Sequence, residues 1–150
     1  MALRIYLSRD AAAQALGADE TATALQVAAA AKGTSITLTR VGSRGMVWLE
    51  PLVEVEDASG QRIAYGPVTA GDVPGLVQAG LFDTATHPLR LGRVEDMPWF
   101  AQQERLTFAR VGVIDPVSVD DYVAHGGFAG LKRALGLSGA EIVEEVLQSG

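Results

Sequence analysis

Four stretches of β-favouring residues predict strands within the first 65 residues of the chain. Leu3, Ile5 and Leu7 alternate with Arg4 and Tyr6, which is the period of two expected for a strand. The same reasoning predicts further strands at residues 35–41, 52–56 and 62–65. The sequence between the last two reads Asp-Ala-Ser-Gly, a turn composition, so these two strands are expected to form a hairpin.

Helical patterns separate and follow these strands. Residues 10–17 are short and alanine-rich, and residues 19–32 place alanine and leucine at helical spacing. A further helix is predicted after Thr69, where Asp72 takes the place of the usual glutamate in a capping box, and this helix ends at Gly80.

The predicted order is strand, helix, strand, hairpin and helix. A parallel pair joined by a helix, together with an antiparallel hairpin, gives a small mixed sheet with helices packed on it. We therefore predict an α/β domain over residues 1–82.

The pattern changes after this domain. Residues 83–92 lack a strong periodicity and predict a linker or extended arm. Farther on, Ser118 with Asp121 and Ser138 with Glu141 predict two helix N-caps. We therefore predict that residues 83–150 form a linker followed by a mostly helical C-terminal segment.

Composition narrows the functional classes. The chain has 12 basic and 18 acidic residues and a net charge of −6, which argues against nucleic acid and anionic membranes as partners. No apolar run approaches the ~20 residues of a membrane span, and the N-terminus lacks a signal-peptide pattern, so we expect a cytoplasmic protein. The absence of cysteine excludes disulfides, thiol catalysis and cysteine-ligated iron–sulfur clusters.

The remaining candidate groups for chemistry are weak. His87 and His125 lie far apart in the sequence, so we expect surface or structural roles for both and no metal site. Glu54 and Glu56 share one face of the third predicted strand, which we interpret as a solvated face, with a paired-carboxylate site as the alternative. The glycines of residues 42–45 lack the strand–glycine–helix setting of a dinucleotide loop and indicate a turn.

Two motifs carry a family resemblance. Ser8 and Ala13, separated by four residues, follow the first predicted strand, and Ser43-Arg44-Gly45-Met46-Val47 follows the second, before a proline and the hairpin. This region resembles the thioredoxin-like [2Fe–2S] ferredoxin domain found beside NADH-dehydrogenase flavoproteins, which carries cysteines at the positions of Ser8, Ala13, Ser43 and Val47. Alanine and valine cannot ligate iron, so the resemblance implies a thioredoxin-like fold without its cluster.

The second half extends the resemblance over nearly the whole chain. Its motifs lie at residues 103–112, 114–116, 126–128 and 141–146. They are similar to the opening segment of the flavoprotein subunit of complex I, of NAD-reducing hydrogenase and of NAD-dependent formate dehydrogenase. Fused to a cysteine-free thioredoxin-like domain, this segment resembles the β subunit of soluble molybdenum- or tungsten-type formate dehydrogenase. Residues 43–46 and residues 48–55, which read Trp-Leu-Glu-Pro-Leu-Val-Glu-Val, match that subunit especially well.

The resemblance also sets an expectation about length. In the family, a glycine-rich loop that cradles FMN and NADH comes next, and four [4Fe–4S] cysteines come later. The sequence ends at Gly150, immediately before that loop, so we expect a piece of a longer subunit. A stand-alone domain of this length is the alternative.

The resemblance implies a structural, subunit-docking role with no catalytic, cofactor-binding or metal-ligating residue in this chain. The parent subunit would transfer electrons between FMN, iron–sulfur clusters and NAD, and its partners would be the iron–sulfur α subunit and the small γ subunit of formate dehydrogenase. Arg44, Met46 and Trp48 are the candidate interface, because arginine and tryptophan are enriched at binding hot spots. The alternatives are that Trp48 is a half-buried core residue and Arg44 caps a loop, and that the chain is a small interaction module unrelated to electron transfer.

Overall fold

The structure, a computed structural model, describes residues 2–150 and confirms the four predicted strands. A fifth strand, which the sequence pattern did not predict, ends the expected linker. The strands are β1 (Leu3–Ser8), β2 (Ile36–Val41), β3 (Val53–Glu56), β4 (Arg62–Tyr65) and β5 (Arg90–Arg93). The α-helices are α1 (Ala11–Ala15), α2 (Ala18–Ala31), α3 (Val73–Gln78), α4 (Pro98–Ala101), α5 (Val119–Ala124), α6 (Ala129–Ala134) and α7 (Gly139–Gln148).

The strands form one mixed sheet in the order β2-β1-β3-β4-β5. β1 runs parallel to β2, as a helical crossover requires, and the other neighbouring pairs are antiparallel. The order of strand, helix, strand, hairpin and helix before residue 81 is the one that the sequence predicts. The chain therefore has the predicted thioredoxin-like α/β fold, followed by a mostly helical C-terminal segment.

One face of the sheet packs against helices. The alternating residues Ile5, Leu7, Val53 and Val55 are fully buried there, together with Leu25 of α2. Strand alternation directs these side chains to one side, and the apolar stripes of α2 and α3 cover them. This face is the main hydrophobic core.

The opposite face carries a second, smaller core. Met46, Leu52, Ala64 and Val94 are buried in it, and Met97 and Phe100 pack against it. The residues that cover this face come from the segment before β3 and from residues 94–116, which follow β5 and which we call the strap. Both faces of the sheet are therefore covered.

The chain divides into two compact units, residues up to Pro116 and Val117–Gly150. The predicted boundary between residues 82 and 83 stays a prediction. Within the second unit, Ser138 and Glu141 form the predicted reciprocal capping box at the start of α7, and Ser118 caps α5 by accepting a hydrogen bond from the Asp121 N–H. Across residues 2–150, the helices are all too short or too polar to traverse a lipid bilayer.

Candidate functional site

The loop that leads from β2 toward β3, residues 42–51, contains two of the four lost ligand positions, Ser43 and Val47, and all three candidate interface residues. A short 3-10 helix at Val47–Leu49 turns the chain back toward β3. The loop lies directly on the backbone at Gly66, where an added Cβ would fall 2.6 Å from the Leu49 carbonyl oxygen. Only glycine leaves room for this approach, so the loop is held close to the end of β4.

Ser8 and Ala13, the first pair of lost ligand positions, are buried and share one hydrogen-bonding partner. The Ser8 hydroxyl donates to the Asp10 carboxylate at 2.8 Å, and the Ala13 N–H donates to the same carboxylate at 3.1 Å. Asp10 is also the N-cap of α1. Burial by itself would raise the pKa of Asp10, but the hydrogen bonds from the Ala13 N–H and the Ser8 hydroxyl outweigh it and lower the pKa.

Ser43 forms the matching arrangement in the loop. Its hydroxyl donates to Glu50 Oε1 at 2.9 Å and accepts from the Gly45 N–H at 3.0 Å. The second Glu50 oxygen accepts from the Leu52 N–H at 2.9 Å. Glu50 is buried, and this burial raises the pKa of its carboxyl despite the two hydrogen bonds, with Asp10 and Glu54 adding repulsion.

These positions do not fit a [2Fe–2S] cluster. Ala13 and Val47 carry no donor atom, and the hydroxyls of Ser8 and Ser43 are engaged with Asp10 and Glu50. Val47 lies on the surface with 51% of its area exposed. In the part of the chain that the structure describes, no group of three or more histidine, aspartate or glutamate side chains is arranged to hold a metal ion.

Glu54 occupies the centre of the second face of the sheet. Arg44 donates to its carboxylate through Nε at 2.8 Å and Nη2 at 2.7 Å, and Arg62 Nη1 lies 3.3 Å from the same carboxylate. The prediction of a solvated face is therefore wrong for Glu54, whose exposed fraction is 2%. The reason is that the strap covers this face, and a period-2 pattern does not reveal a covering segment 50 residues away.

Arg62 connects the sheet to the strap. Its two terminal nitrogens donate to the carbonyls of Gly112 at 2.6 Å and Val113 at 2.9 Å. The guanidinium carbon also lies 3.3 Å from the centroid of the Tyr6 ring, in the range of cation–π attraction. The Tyr6 hydroxyl in turn donates to Glu56 at 2.7 Å, so Glu56 is partly buried and bonded as well.

The structure separates the three candidate interface residues. Arg44 is 8% exposed and pairs with Glu54 rather than merely capping a loop, and Met46 is 1% exposed in the second core. Trp48 lies on the surface with 58% of its area exposed, beside Trp99 of the strap. The role of Arg44, Met46 and Trp48 in an interface stays a prediction, and Trp48 is the member that solvent reaches.

Sequence reasoning missed the contribution of the strap to this region. Phe100 lies beneath two guanidinium groups. The distance from the Phe100 ring centroid to the guanidinium carbon is 5.5 Å for Arg44 and 5.0 Å for Arg105. The short helix α4 carries no full helical period, so its apolar side has no recognisable pattern. The adjacent Trp99 and Phe100 were the one available signal, because paired large aromatics outside a regular element call for a packing partner.

Both histidines make local contacts. His87 Nδ1 accepts a hydrogen bond from the Leu89 N–H at 3.1 Å, and His125 Nδ1 lies 2.8 Å from the Asp121 carbonyl oxygen. The first contact organises the turn before β5, and the second lies at the end of α5. Each contact stays within its own turn of chain, as a structural role requires.

Comparisons with known proteins give partial matches. No family model matches the chain. Over 49 residues, or 33% of its length, the chain is 43% identical to the NADP-reducing hydrogenase subunit HndC of Solidesulfovibrio fructosivorans. The match spans only 10% of that relative.

Among solved structures, the chain is similar to a serine-for-cysteine variant of the thioredoxin-like [2Fe–2S] ferredoxin from Aquifex aeolicus. The two share 20% sequence identity with a TM-score of 0.46. The superposition covers 60% of this chain and 98% of the ferredoxin.

Proposed function

We propose that this chain is the non-catalytic N-terminal portion of an NADH-dehydrogenase-type flavoprotein, or diaphorase, subunit of an NAD-dependent formate dehydrogenase. Its role is to support and dock neighbouring subunits. The observation that carries the proposal is the hydrogen bonding of Ser8 to Asp10 and of Ser43 to Glu50. At these positions the resembled family has cluster-ligating cysteines, so polar contacts between side chains stand where a cofactor would be held.

The similarity to a hydrogenase subunit supports the same proposal. That relative is by its name one subunit of a hydrogenase that reduces NADP. By the resemblance, FMN, NAD and [4Fe–4S] clusters would be bound by other parts of the parent subunit. The groups of this chain would then bind and orient neighbours without reacting.

Restoring the missing ligands tests the positional correspondence. We expect the combined variant Ser8→Cys, Ala13→Cys, Ser43→Cys and Val47→Cys to take up a [2Fe–2S] cluster on anaerobic reconstitution with iron and sulfide. The readouts are iron stoichiometry and visible absorption. The matched control keeps Val47 and carries the other three cysteines. Equal iron uptake by the two variants would show that these are not the former ligand positions.

Assembly tests the docking role. The chain should copurify in a fixed ratio with the iron–sulfur α subunit and the small γ subunit of a soluble formate dehydrogenase when the three are co-expressed. The complex is followed by size-exclusion chromatography and mass measurement. Elution of this chain alone would contradict the proposal and favour the alternative of an interaction module unrelated to electron transfer.

A further inference from the structure

An exposed apolar surface lies at the 42–51 loop. We call Val47, Trp48 and Trp99 the tryptophan patch; their exposed fractions are 51%, 58% and 46%. The two indole rings meet edge to face with centroids 5.3 Å apart. They are the only two tryptophans of the chain, and both face solvent in one place. A clustered exposure of large aromatic area marks an interaction surface more often than scattered apolar residues do.

The patch rests on a buried support. In the sequence, Trp48 lies between two residues that are anchored in the second core. Met46 is a buried member of that core, and Leu49 packs against it. Trp99 is followed by Phe100, which packs against the same core. Anchored backbone on both sides limits the conformational entropy that the two indole rings lose when a partner binds.

Charge identifies the kind of partner. Arg105 stacks on Phe100, next to Trp99, and forms no ion pair with any carboxylate within residues 2–150. Arg44, on the same ring, is already neutralised by Glu54. Partial burial lowers the pKa of Arg105, so its positive charge is incompletely solvated at this surface. A carboxylate from outside would complete this site.

We propose that the tryptophan patch and Arg105 form a docking surface for an acidic, apolar segment of another protein subunit. The segment presents a carboxylate to Arg105 and apolar side chains to Trp48 and Trp99. The inference rests on the proposed function, since it gives the docking role a specific surface. Arg105 repels cationic segments, and the acidic excess of the whole chain disfavours nucleic acid.

The two tryptophans provide the readout for a direct test. The probe is a short helical peptide with leucine on one face and glutamate on the other, compared with the same peptide carrying lysine for glutamate. We expect the glutamate peptide to shift the tryptophan emission to shorter wavelength in a saturable manner, and to bind about tenfold more tightly than the lysine peptide. Added salt should weaken this binding.

Variants assign the effect to the surface. Arg105→Glu and Trp99→Ala should each weaken binding of the glutamate peptide about tenfold or more, and Arg105→Glu should reverse the peptide preference. The matched controls are Lys132→Glu, the same charge change at an exposed site of the second unit, and Val27→Ala on the exposed side of α2. Both controls should bind as the wild type does.

Several outcomes would overturn the inference. They are the absence of peptide binding, equal affinity for the two peptides, unchanged binding by Arg105→Glu, and an emission shift that sedimentation attributes to self-association of the chain. Co-expression with the formate dehydrogenase subunits separates the two proposals. If the wild type binds the peptide but does not copurify, the proposed function fails and the surface stands. If Trp99→Ala and Arg105→Glu copurify as well as the wild type, the surface fails and the proposed function stands.

Discussion

The two faces of the five-stranded sheet are stabilised by different interactions. The face toward α2 and α3 buries aliphatic side chains such as Leu7 and Val53, which contribute by removal of apolar area from water. The face toward the strap buries Glu54 between Arg44 and Arg62, beside a small apolar core. The first kind of contact is non-directional, whereas the second depends on the geometry of individual donors and acceptors.

This difference changes how each face responds to substitution. An aliphatic core tolerates swaps that conserve volume, because no particular atom pair is required. A buried ion pair contributes little net free energy against an apolar replacement, but removal of one partner leaves an uncompensated charge. The strap face is therefore the more sensitive to a single change, although its apolar core is the smaller.

The largest expected effect comes from breaking the ion pair on the strap face. Glu54→Ala leaves Arg44 and Arg62 buried without their carboxylate, and we expect the free energy of unfolding to fall by about 3–5 kcal/mol. Urea denaturation measures it. Glu56→Ala, two residues farther along the strand, is the control and should cost about 1–2 kcal/mol, because it removes one hydrogen bond from Tyr6 and a partly exposed pair with Arg4. Equal losses of unfolding free energy in the two variants would contradict a special contribution from the buried ion pairs of Glu54.

On the helix face, Leu25→Ala removes a fully buried side chain of α2. We expect a loss of about 3 kcal/mol from transfer and cavity terms, measured in the same denaturation assay. The control, Val27→Ala, lies in the same helix with 64% of its side chain exposed, and should stay within about 0.5 kcal/mol of the wild type. A large loss at Val27 would contradict the assignment of the buried side of α2.

A conservative change distinguishes charge from geometry on the strap face. Arg62→Lys keeps the positive charge but cannot donate to both strap carbonyls and stack on Tyr6 at once, so we expect a loss of about 1–2 kcal/mol. The rate of amide hydrogen exchange in the strap should also rise in the Arg62→Lys variant. Arg93→Lys, in an exposed ion pair with Asp96, is the control. Unchanged exchange in Arg62→Lys would mean that the strap is held by its apolar contacts alone.

The smallest effect is a dependence on pH. Burial raises the pKa of Glu50, so above the ordinary glutamate pKa the folded state holds a proton that the unfolded chain has lost. The contribution of Glu50 to the free energy of unfolding therefore falls as pH rises through the raised pKa. Glu50→Gln should remove this decline, as measured by urea denaturation from acidic to neutral pH.

Asp10 provides the control of opposite sign. Its pKa is lowered, so its contribution is present above the unfolded pKa and is lost as pH falls through the folded one. Asp10→Asn should accordingly remove a loss of stability at acidic pH. Parallel pH profiles for the wild type and Glu50→Gln would contradict the assigned environment of Glu50.

The sequence predicted the helix face far better than the strap face. Period-2 alternation and helical spacing located Ile5, Leu7 and Leu25, because local periodicity reports on one buried side of each element. The burial of Glu54 depends on a segment that lies about 50 residues later and whose contact with Arg62 is made by backbone carbonyls. Every residue has the same backbone carbonyl acceptor, so the sequence pattern does not indicate which carbonyls Arg62 will bind.

The candidate site divides in the same way. The motif around Ser43 and Gly45 located the loop, because a glycine-bearing turn before a hairpin is a local feature. The partners of the loop were not predictable. Trp99 lies in a segment with no regular period, and its contact with Trp48 follows from how the strap packs, as does the contact of Arg105 with Phe100. Long-range packing of irregular segments was the information that the sequence patterns lacked.

The contact of Arg62 with main-chain oxygens has a consequence for sequence variation. Arg62 donates to the main-chain carbonyl of Val113 and not to its side chain. Other residue types at position 113 would therefore keep this hydrogen bond. Gly112 has no such freedom, since its φ is +80° and an added Cβ would lie 2.5 Å from Arg44 Cδ. A saturation library over the two positions should therefore retain many residue types at Val113 and glycine alone at Gly112.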